Sequence, residues 1–415
     1  MTVTSEGVQG AQGADAEAEP PLFPMERKCP FQPPAEYAEL RAEKPVFKVK
    51  LAVSGKEVWV VSRQEHVRRV LTESEMSSSF VNPGYPLQVP VPPEALAAMQ
   101  TPLVAMDSPQ HAQHRRAIIP ELTVKRVQAL RPRIQEVVDE HITAMLEQGG
   151  PVDLLTALAI PVPSLILCEL LGVPKEDVPH FRDFADRTVR SDVTAEEIGQ
   201  AMAEMDAYLD KLVTAKELEP TDDLLGRVVA KNREEGTLAH REVVALARML
   251  ISGGFDTLTN MIVLGVGVLL EHPEQLEQIK QDPSLTKNAI EELLRYLSIA
   301  DSATSRTATA DIEIEGVVIR KGEGIIALNG SANRDERVFD NPDTLDIFRQ
   351  IGLHSAFGHG IHQCPGASLV RVELEIVYNT LFARIPTLRL AVPAEELPFK
   401  KYTLIQGLDA LPVTW

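Results

Sequence analysis

The run Phe357-Gly358-His359-Gly360-Ile361-His362-Gln363-Cys364-Pro365-Gly366 sets one thiol in a glycine-rich loop directly ahead of a long amphipathic stretch. A helix starting there presents free backbone N–H groups and the positive end of its dipole, and both favour a thiolate over a thiol. Cys364 is therefore read as an iron ligand. Pro365 suits a first helical turn, where no N–H donor is needed. Gly358 and Gly360 permit backbone that turns amides inward, and Gly366 leaves room for a flat macrocycle against the chain. Two other readings compete. His354, His359 and His362 stand near the thiol as zinc ligands would, but no second local thiol or C-x-x-C pair accompanies them. The glycines also resemble part of a dinucleotide loop, yet Gln363 stands where the third glycine of G-x-G-x-x-G belongs.

A second constellation, Gly253-Gly254-Phe255-Asp256-Thr257, lies inside an apolar helical pattern running from about Arg241 to Leu270. Interior glycines cost a helix about 0.5–1 kcal/mol each relative to alanine. Either another helix packs closely against them, or something flat passes over the helix at that point. Asp256 and Thr257 follow at once, an acid and a hydroxyl on an otherwise apolar site, and together they can relay protons. A third element is Glu292 with Arg295. The pair shares one helix face and, taken alone, reads as an ordinary surface pair worth a few tenths of a kcal/mol.

The elements that must position these groups are mostly helical. Residues Pro34–Arg41 read as a short helix, and the alternating VFKVKLAVSGKEVWVVS as a hairpin turning at Ser54-Gly55. Residues 74 to 108 are rich in proline and lack regular periodicity. From Arg115 to about Asp282 helices dominate, with breaks near Gly149-Gly150-Pro151, Gly172-Val173-Pro174 and the polar segment Lys231–Gly236. Strands return in DIEIEGVVIRKGEGIIALN. The expected fold class is mainly α with small β-sheets.

Of the 415 residues, 44% are apolar, enough for a substantial core, and the net charge of -19 argues against broad contact with nucleic acid or anionic lipid. Cys29, Cys168 and Cys364 are too scattered for a disulfide framework, which suits a reducing cytoplasm. The first 24 residues read as a flexible acidic tail without secretory features, and 25–415 as a single domain. The most apolar later stretch, Thr257 to Leu270, reads as too short to span a bilayer.

Taken together, these residues resemble the cytochrome P-450 family of haem-thiolate monooxygenases, of the soluble bacterial type. The cysteine run is similar to that family's haem-binding loop, Gly253 to Thr257 to its oxygen-activating central helix, and Glu292 with Arg295 to its E-x-x-R core pair. The resemblance implies a triangular prism with haem b (iron protoporphyrin IX) between the central helix and the cysteine helix. It implies Cys364 as axial ligand, a haem bed of Phe357, Gly358, Gly366, Gly253 and Gly254, and propionate partners His111, Arg115, Arg306 and His362. Glu292 and Arg295 would be the structural core, joined by Arg334 or Arg337, or by no third member. Asp256 and Thr257 would be catalytic. A substrate pocket would take walls from the loop between Phe80 and Val104, from Leu165 to Arg190, from Phe255, from Ile299 to Ser302, and from Leu404.

The expected reaction inserts one atom of O2 into a bulky, mostly apolar small molecule in secondary metabolism or xenobiotic oxidation. No flavin or nucleotide fingerprint is visible, so electrons are expected from ferredoxin and ferredoxin reductase, which draw on NAD(P)H. Arg115, Arg116, Lys125, Arg126 and Arg371 form a candidate docking patch. Two rivals remain: a nitric oxide reductase of the same family that uses NADH directly, and a non-catalytic haem sensor. The stretch from Val70 to His114 contains no Lys or Arg to hold a dinucleotide, and the acid–hydroxyl pair favours oxygen activation.

Overall fold

The apolar pattern around residue 255 folds as a helix of 32 residues, His240–Glu271. At its start the Glu242 carboxylate accepts the Ala239 N–H at 2.7 Å, satisfying one of the donors that a helix leaves exposed. From Leu258 to Leu269 every residue is buried, the pattern of a helix surrounded by protein. By length and composition this helix can cross a membrane, contrary to the shorter expectation, but 72% of its most apolar window is buried inside the protein. Its apolarity is that of a core helix.

A computed structural model describes residues 19–88, 100–189 and 194–415 of the chain. Helices predominate, as expected. The cysteine helix, Ala367–Arg384, packs on Arg131–Gln148, on Thr286–Leu297 and on the central helix. The Tyr378 hydroxyl donates to the Met261 carbonyl at 2.8 Å. A Cβ on Gly265 would lie 2.0 Å from that hydroxyl oxygen, so a glycine is required for this approach. One apolar cluster gathers buried side chains from Phe31 through Val413.

The largest sheet has six strands in the order Leu22–Phe23, Val46–Leu51, Glu57–Val61, Gly324–Ala327, Thr304–Ala308 and Met76–Ser77. Arg306 is paired with Ile325 in this sheet, which fixes its height along the strand. Three boundaries differ from expectation. Leu22–Phe23 pairs parallel with Lys50–Leu51 and Phe23 is buried, so ordered chain begins before residue 25; residues 1–18 lie outside the described residues. Lys231 to Glu235 continue the helix Leu224–Glu235, and the break falls at Gly236, which takes the left-handed conformation at φ 61°. Pro365 lies in the turn ahead of the cysteine helix, which starts at Ala367.

Candidate active site

The cysteine loop closes on itself through the Cys364 N–H, which donates to the Phe357 carbonyl at 2.9 Å, and the Gly358 N–H, which donates to Ser355 at 2.8 Å. Gly360 adopts φ 74°, and a Cβ there would stand 2.7 Å from the Leu71 carbonyl oxygen, so only glycine lets the loop lie against the end of the helix Gln64–Thr72. Burial pushes the Cys364 thiol up. The Gly366 and Ala367 N–H groups, with Arg115 and Arg371, act in the opposite direction. The histidines of the loop do not converge on a zinc site. His354 Nε2 meets Glu291 at 3.0 Å, His359 faces Arg68 at 3.4 Å and His362 meets Ser78 Oγ at 3.0 Å.

His111, on the helix Gln110–Ile118, and His362 bring their rings to 4.0 Å between centroids. Arg115 donates to the Gln363 carbonyl at 2.6 Å, and Arg306, 5% exposed, donates to Ser305 O at 2.8 Å. Burial, and then the neighbouring cations, hold both imidazoles below their usual range, His362 down to about 3. His111 Nε2 is buried without a hydrogen-bond partner. Four groups able to carry positive charge thus gather in one place, His111 and Arg306 buried and Arg115 and His362 half-buried, with an orphaned nitrogen among them. That arrangement suits carboxylates of a bound group.

On the central helix the paired glycines serve different purposes. A Cβ on Gly254 would stand 3.1 Å from Leu167, so packing explains that glycine; a Cβ on Gly253 would meet nothing within 4 Å. Gly253 is exposed in the middle of a mostly buried helix, and Asp256 and Thr257 beside it are half-buried. The Thr257 hydroxyl donates to Gly253 O at 2.7 Å. Asp256 Oδ1 accepts from Asn260 Nδ2 at 2.7 Å and faces Lys400 Nζ at 3.4 Å. Neither Asn260 nor Lys400 was anticipated. Lys400 lies 144 positions from Asp256, beyond any local spacing rule.

Glu292 and Arg295 are both fully buried and joined by a two-pronged contact of 2.7 and 2.8 Å. The third member is Arg349, whose Nε donates to Glu292 Oε1 at 3.2 Å. Arg334 instead pairs with Asp343 and stacks on Tyr296, and Arg337 faces Glu65. Arg349 was missed because it lies 57 positions from Glu292, where no local spacing ties the two together.

Of the expected pocket residues, Phe80 packs on Tyr85 with ring centroids 4.8 Å apart, and Val104 is exposed. Phe255 is buried in the main core, and Ile299 is half-buried beside it. Leu404 is 37% exposed. Residues 89–99 and Arg190 of the expected walls lie outside the described residues. In the proposed basic patch Arg116 and Lys125 are exposed, Arg371 is bonded to Glu291 at 2.5 Å, and Arg126 faces Glu121 at 3.5 Å.

A family model for Cytochrome P450 matches residues 177–385. Pentalenic acid synthase of Streptomyces avermitilis is 44% identical, covering 95% of this chain and 98% of its own length. Vitamin D3 dihydroxylase of Streptomyces griseolus is 43% identical, with 95% and 97% covered. The crystal structure of cytochrome P450 MoxA from Nonomuraea recticatena superposes with a TM-score of 0.89 at 49% identity, covering 95% of this chain and 98% of that one. The chain belongs to the cytochrome P450 family. It has that fold, its cofactor is haem, and it is an oxygen-incorporating oxidoreductase of secondary metabolism or xenobiotic oxidation. The residues present fit that group: a thiol under two amides, open space over Gly253, and a half-buried cationic cluster with an unpartnered imidazole nitrogen.

Proposed function

We propose that this chain inserts one oxygen atom of O2 into a C–H bond or double bond of a bulky, mostly apolar small molecule, with electrons from a ferredoxin and its reductase. Cys364 binds the haem iron, and the thiolate supplies the electron density that favours O–O cleavage. His111, Arg115, Arg306 and His362 hold the propionates. One oxygen atom enters the substrate and the other leaves as water, a balance that requires two electrons and two protons from outside. Asp256 and Thr257 pass those protons.

The observation that carries this reading is the pairing of an open Gly253 with an acid and a hydroxyl on an otherwise mostly buried helix. A haem that only sensed or stored a ligand would need neither group. Support for the substrate class comes from the relatives, which include the vitamin D3 dihydroxylase and a 20-oxo-5-O-mycaminosyltylactone 23-monooxygenase of Streptomyces fradiae. For the redox partner, a cleft of about 510 Å³ lined by Val124, Gln128, Arg131, Lys287, Ser368 and Arg371 adjoins the cysteine helix. Arg131, Lys287 and Arg371 line it together with their partners Glu291 and Glu375, and the small positive excess that remains suits an acidic ferredoxin. We place the protein in the cytoplasm, where such a partner is reduced.

The test is an absorption titration of the ferric protein with polyketides, steroids, terpenoids and aromatic compounds. The expected result is a high-spin shift with one class, followed by oxygenated product when ferredoxin, its reductase and NAD(P)H are supplied. No shift with any compound, together with rapid NADH consumption on adding nitric oxide and no ferredoxin, would replace this reading with the reductase. In the ferrous carbon monoxide complex the Soret band should take the long-wavelength position of thiolate ligation and lose it in Cys364→His.

A further inference from the structure

The hairpin closed by the Phe399–Leu408 bridge meets Asp256 through Lys400, Asn260 through Gly407 and Ile299, one of the expected pocket residues, through Gln406. Lys400 is 5% exposed, so its ammonium is spent inside the protein, and Asp256 Oδ1 at 3.4 Å is its one carboxylate partner among the described residues. The same oxygen takes the Asn260 amide at 2.7 Å, while no hydrogen bond reaches Oδ2 among the described residues. Across the hairpin the Lys400 N–H donates to Gly407 O at 3.0 Å. A Cβ on Gly407 would come within 1.8 Å of Asn260 Oδ1, so the strand lies directly on that amide. At the other edge the Gln406 N–H donates to Ile299 O at 2.8 Å, and Leu404 stands part-exposed at the tip.

A desolvated lysine beside a half-buried carboxylate fixes the carboxylate's orientation more firmly than a surface pair does, because the water that competes for both charges is excluded. With Oδ1 held by two donors, Oδ2 is the oxygen left to exchange protons. The hairpin that supplies one donor and packs on the other also carries Leu404 and is hydrogen-bonded to Ile299. Pressure on that wall therefore reaches Asp256 through a few rigid contacts.

We propose that Lys400 is a positioning residue for Asp256, and that the 399–408 hairpin couples the shape of the bound substrate to the orientation of that acid. The inference rests on the monooxygenase reading for its consequence, since a displaced acid delivers protons late and the reduced oxygen escapes as hydrogen peroxide. Hydrogen peroxide forms from O2, two electrons and two protons, so the reductant is consumed without product. Leu404 then influences how completely a substrate is converted as well as whether it fits.

The experiment compares the haem-loaded parent with Lys400→Met, Lys400→Gln and Lys400→Arg. Product and peroxide per NAD(P)H are measured with the compound that gives the spin shift, and amide hydrogen exchange at 256–260 and 399–408 is measured on the resting ferric protein. The expected result is a several-fold loss of product share in Met and Gln, recovery in Arg, and faster exchange in both segments for Met and Gln. In the parent, the compound should slow exchange across 399–408, and Leu404→Ala should abolish that slowing. Parent-like product share and exchange in Met or Gln would overturn the proposal, as would a loss that Arg does not recover. A parent that oxygenates nothing would defeat the monooxygenase reading instead, and the exchange data would still decide whether Lys400 holds Asp256.

Discussion

The rings of His111 and His362 lie 4.0 Å apart, although one belongs to the helix Gln110–Ile118 and the other to the cysteine loop. With Arg115 and Arg306 near them, and burial acting first, both imidazoles are held below their usual range. Like charges gathered in this way repel one another, and carboxylates placed among them relieve that cost. Charge-assisted hydrogen bonds contribute about 1.5–3 kcal/mol each. His111→Leu and Arg306→Leu should therefore each speed haem loss to a haem-accepting globin by roughly 10- to 100-fold, with near-parental far-UV dichroism. Unchanged haem loss in both variants would place the propionates elsewhere.

The core pair is a different kind of contact. Glu292 and Arg295 have no exposed side-chain surface, and Arg295 also donates to the Asn333 and Pro342 carbonyls, each at 2.8 Å. Removing one partner leaves a buried charge uncompensated, at about 3–5 kcal/mol. Glu292→Gln should lower the unfolding free energy measured in urea by that amount or prevent folding. Arg349→Met leaves the pair intact and should cost about 1.5–3 kcal/mol, the range for its charged hydrogen bond to Glu292, since its other donations, to the Asp340, Asn341 and Thr344 carbonyls, are exposed and add little. Equal losses in the two variants would show that the three residues act as a single unit.

What the chain discloses before folding follows from how local each signal is. The cysteine loop and the Gly253–Thr257 run are contiguous, so residue type and order single them out, whereas the fully buried Glu292–Arg295 pair, one turn apart, reads from spacing as a surface pair and is assigned to the core only by the family resemblance. The hairpin at Ser54-Gly55 and the breaks at Gly149 and Gly172 are local for the same reason. Lys400 on Asp256, Arg349 on Glu292 and the Leu22–Phe23 strand depend on contacts across the fold. No periodicity announces them. The reach of the helix through Lys231–Glu235 was hidden by its polar composition: four of those five residues are charged, and the face that buries Val228 and Val229 precedes them.

The two central glycines give a paired test. Alanine at Gly253 enters open space and removes the backbone entropy of glycine, so Gly253→Ala should stabilise the haem-free chain by about 0.5–1 kcal/mol. A bulkier Gly253→Leu should keep that chain folded and lower its haem uptake sharply. Gly254→Val drives branched carbons toward Leu167, whose side chain stands 3.1 Å from the Cβ position, and should destabilise by about 1–3 kcal/mol with or without haem. Thermal denaturation of haem-free and haem-loaded samples separates the cases. Full haem uptake by Gly253→Leu would mean that nothing flat crosses the helix there.

Glu373 provides the pH test. It is 1% exposed in the cysteine helix, its Oε2 has no hydrogen-bond partner, and burial alone raises its carboxyl to about 8 from 4.5. The folded chain therefore holds a proton that the unfolded chain releases above 4.5. Where the folded state binds the extra proton, stability falls as pH rises, and the loss from this residue runs from 4.5 to about 8. Glu373→Gln keeps the shape of the protonated acid and removes the titration. Urea unfolding of parent and variant at several pH values should give similar stabilities near the acid end of that window. Toward its alkaline end the variant should be the more stable by a few kcal/mol, on the order of 1.4 for each pH unit crossed. Parallel curves across the whole window would show that Glu373 is ionised in the folded protein and that a partner for it had been overlooked.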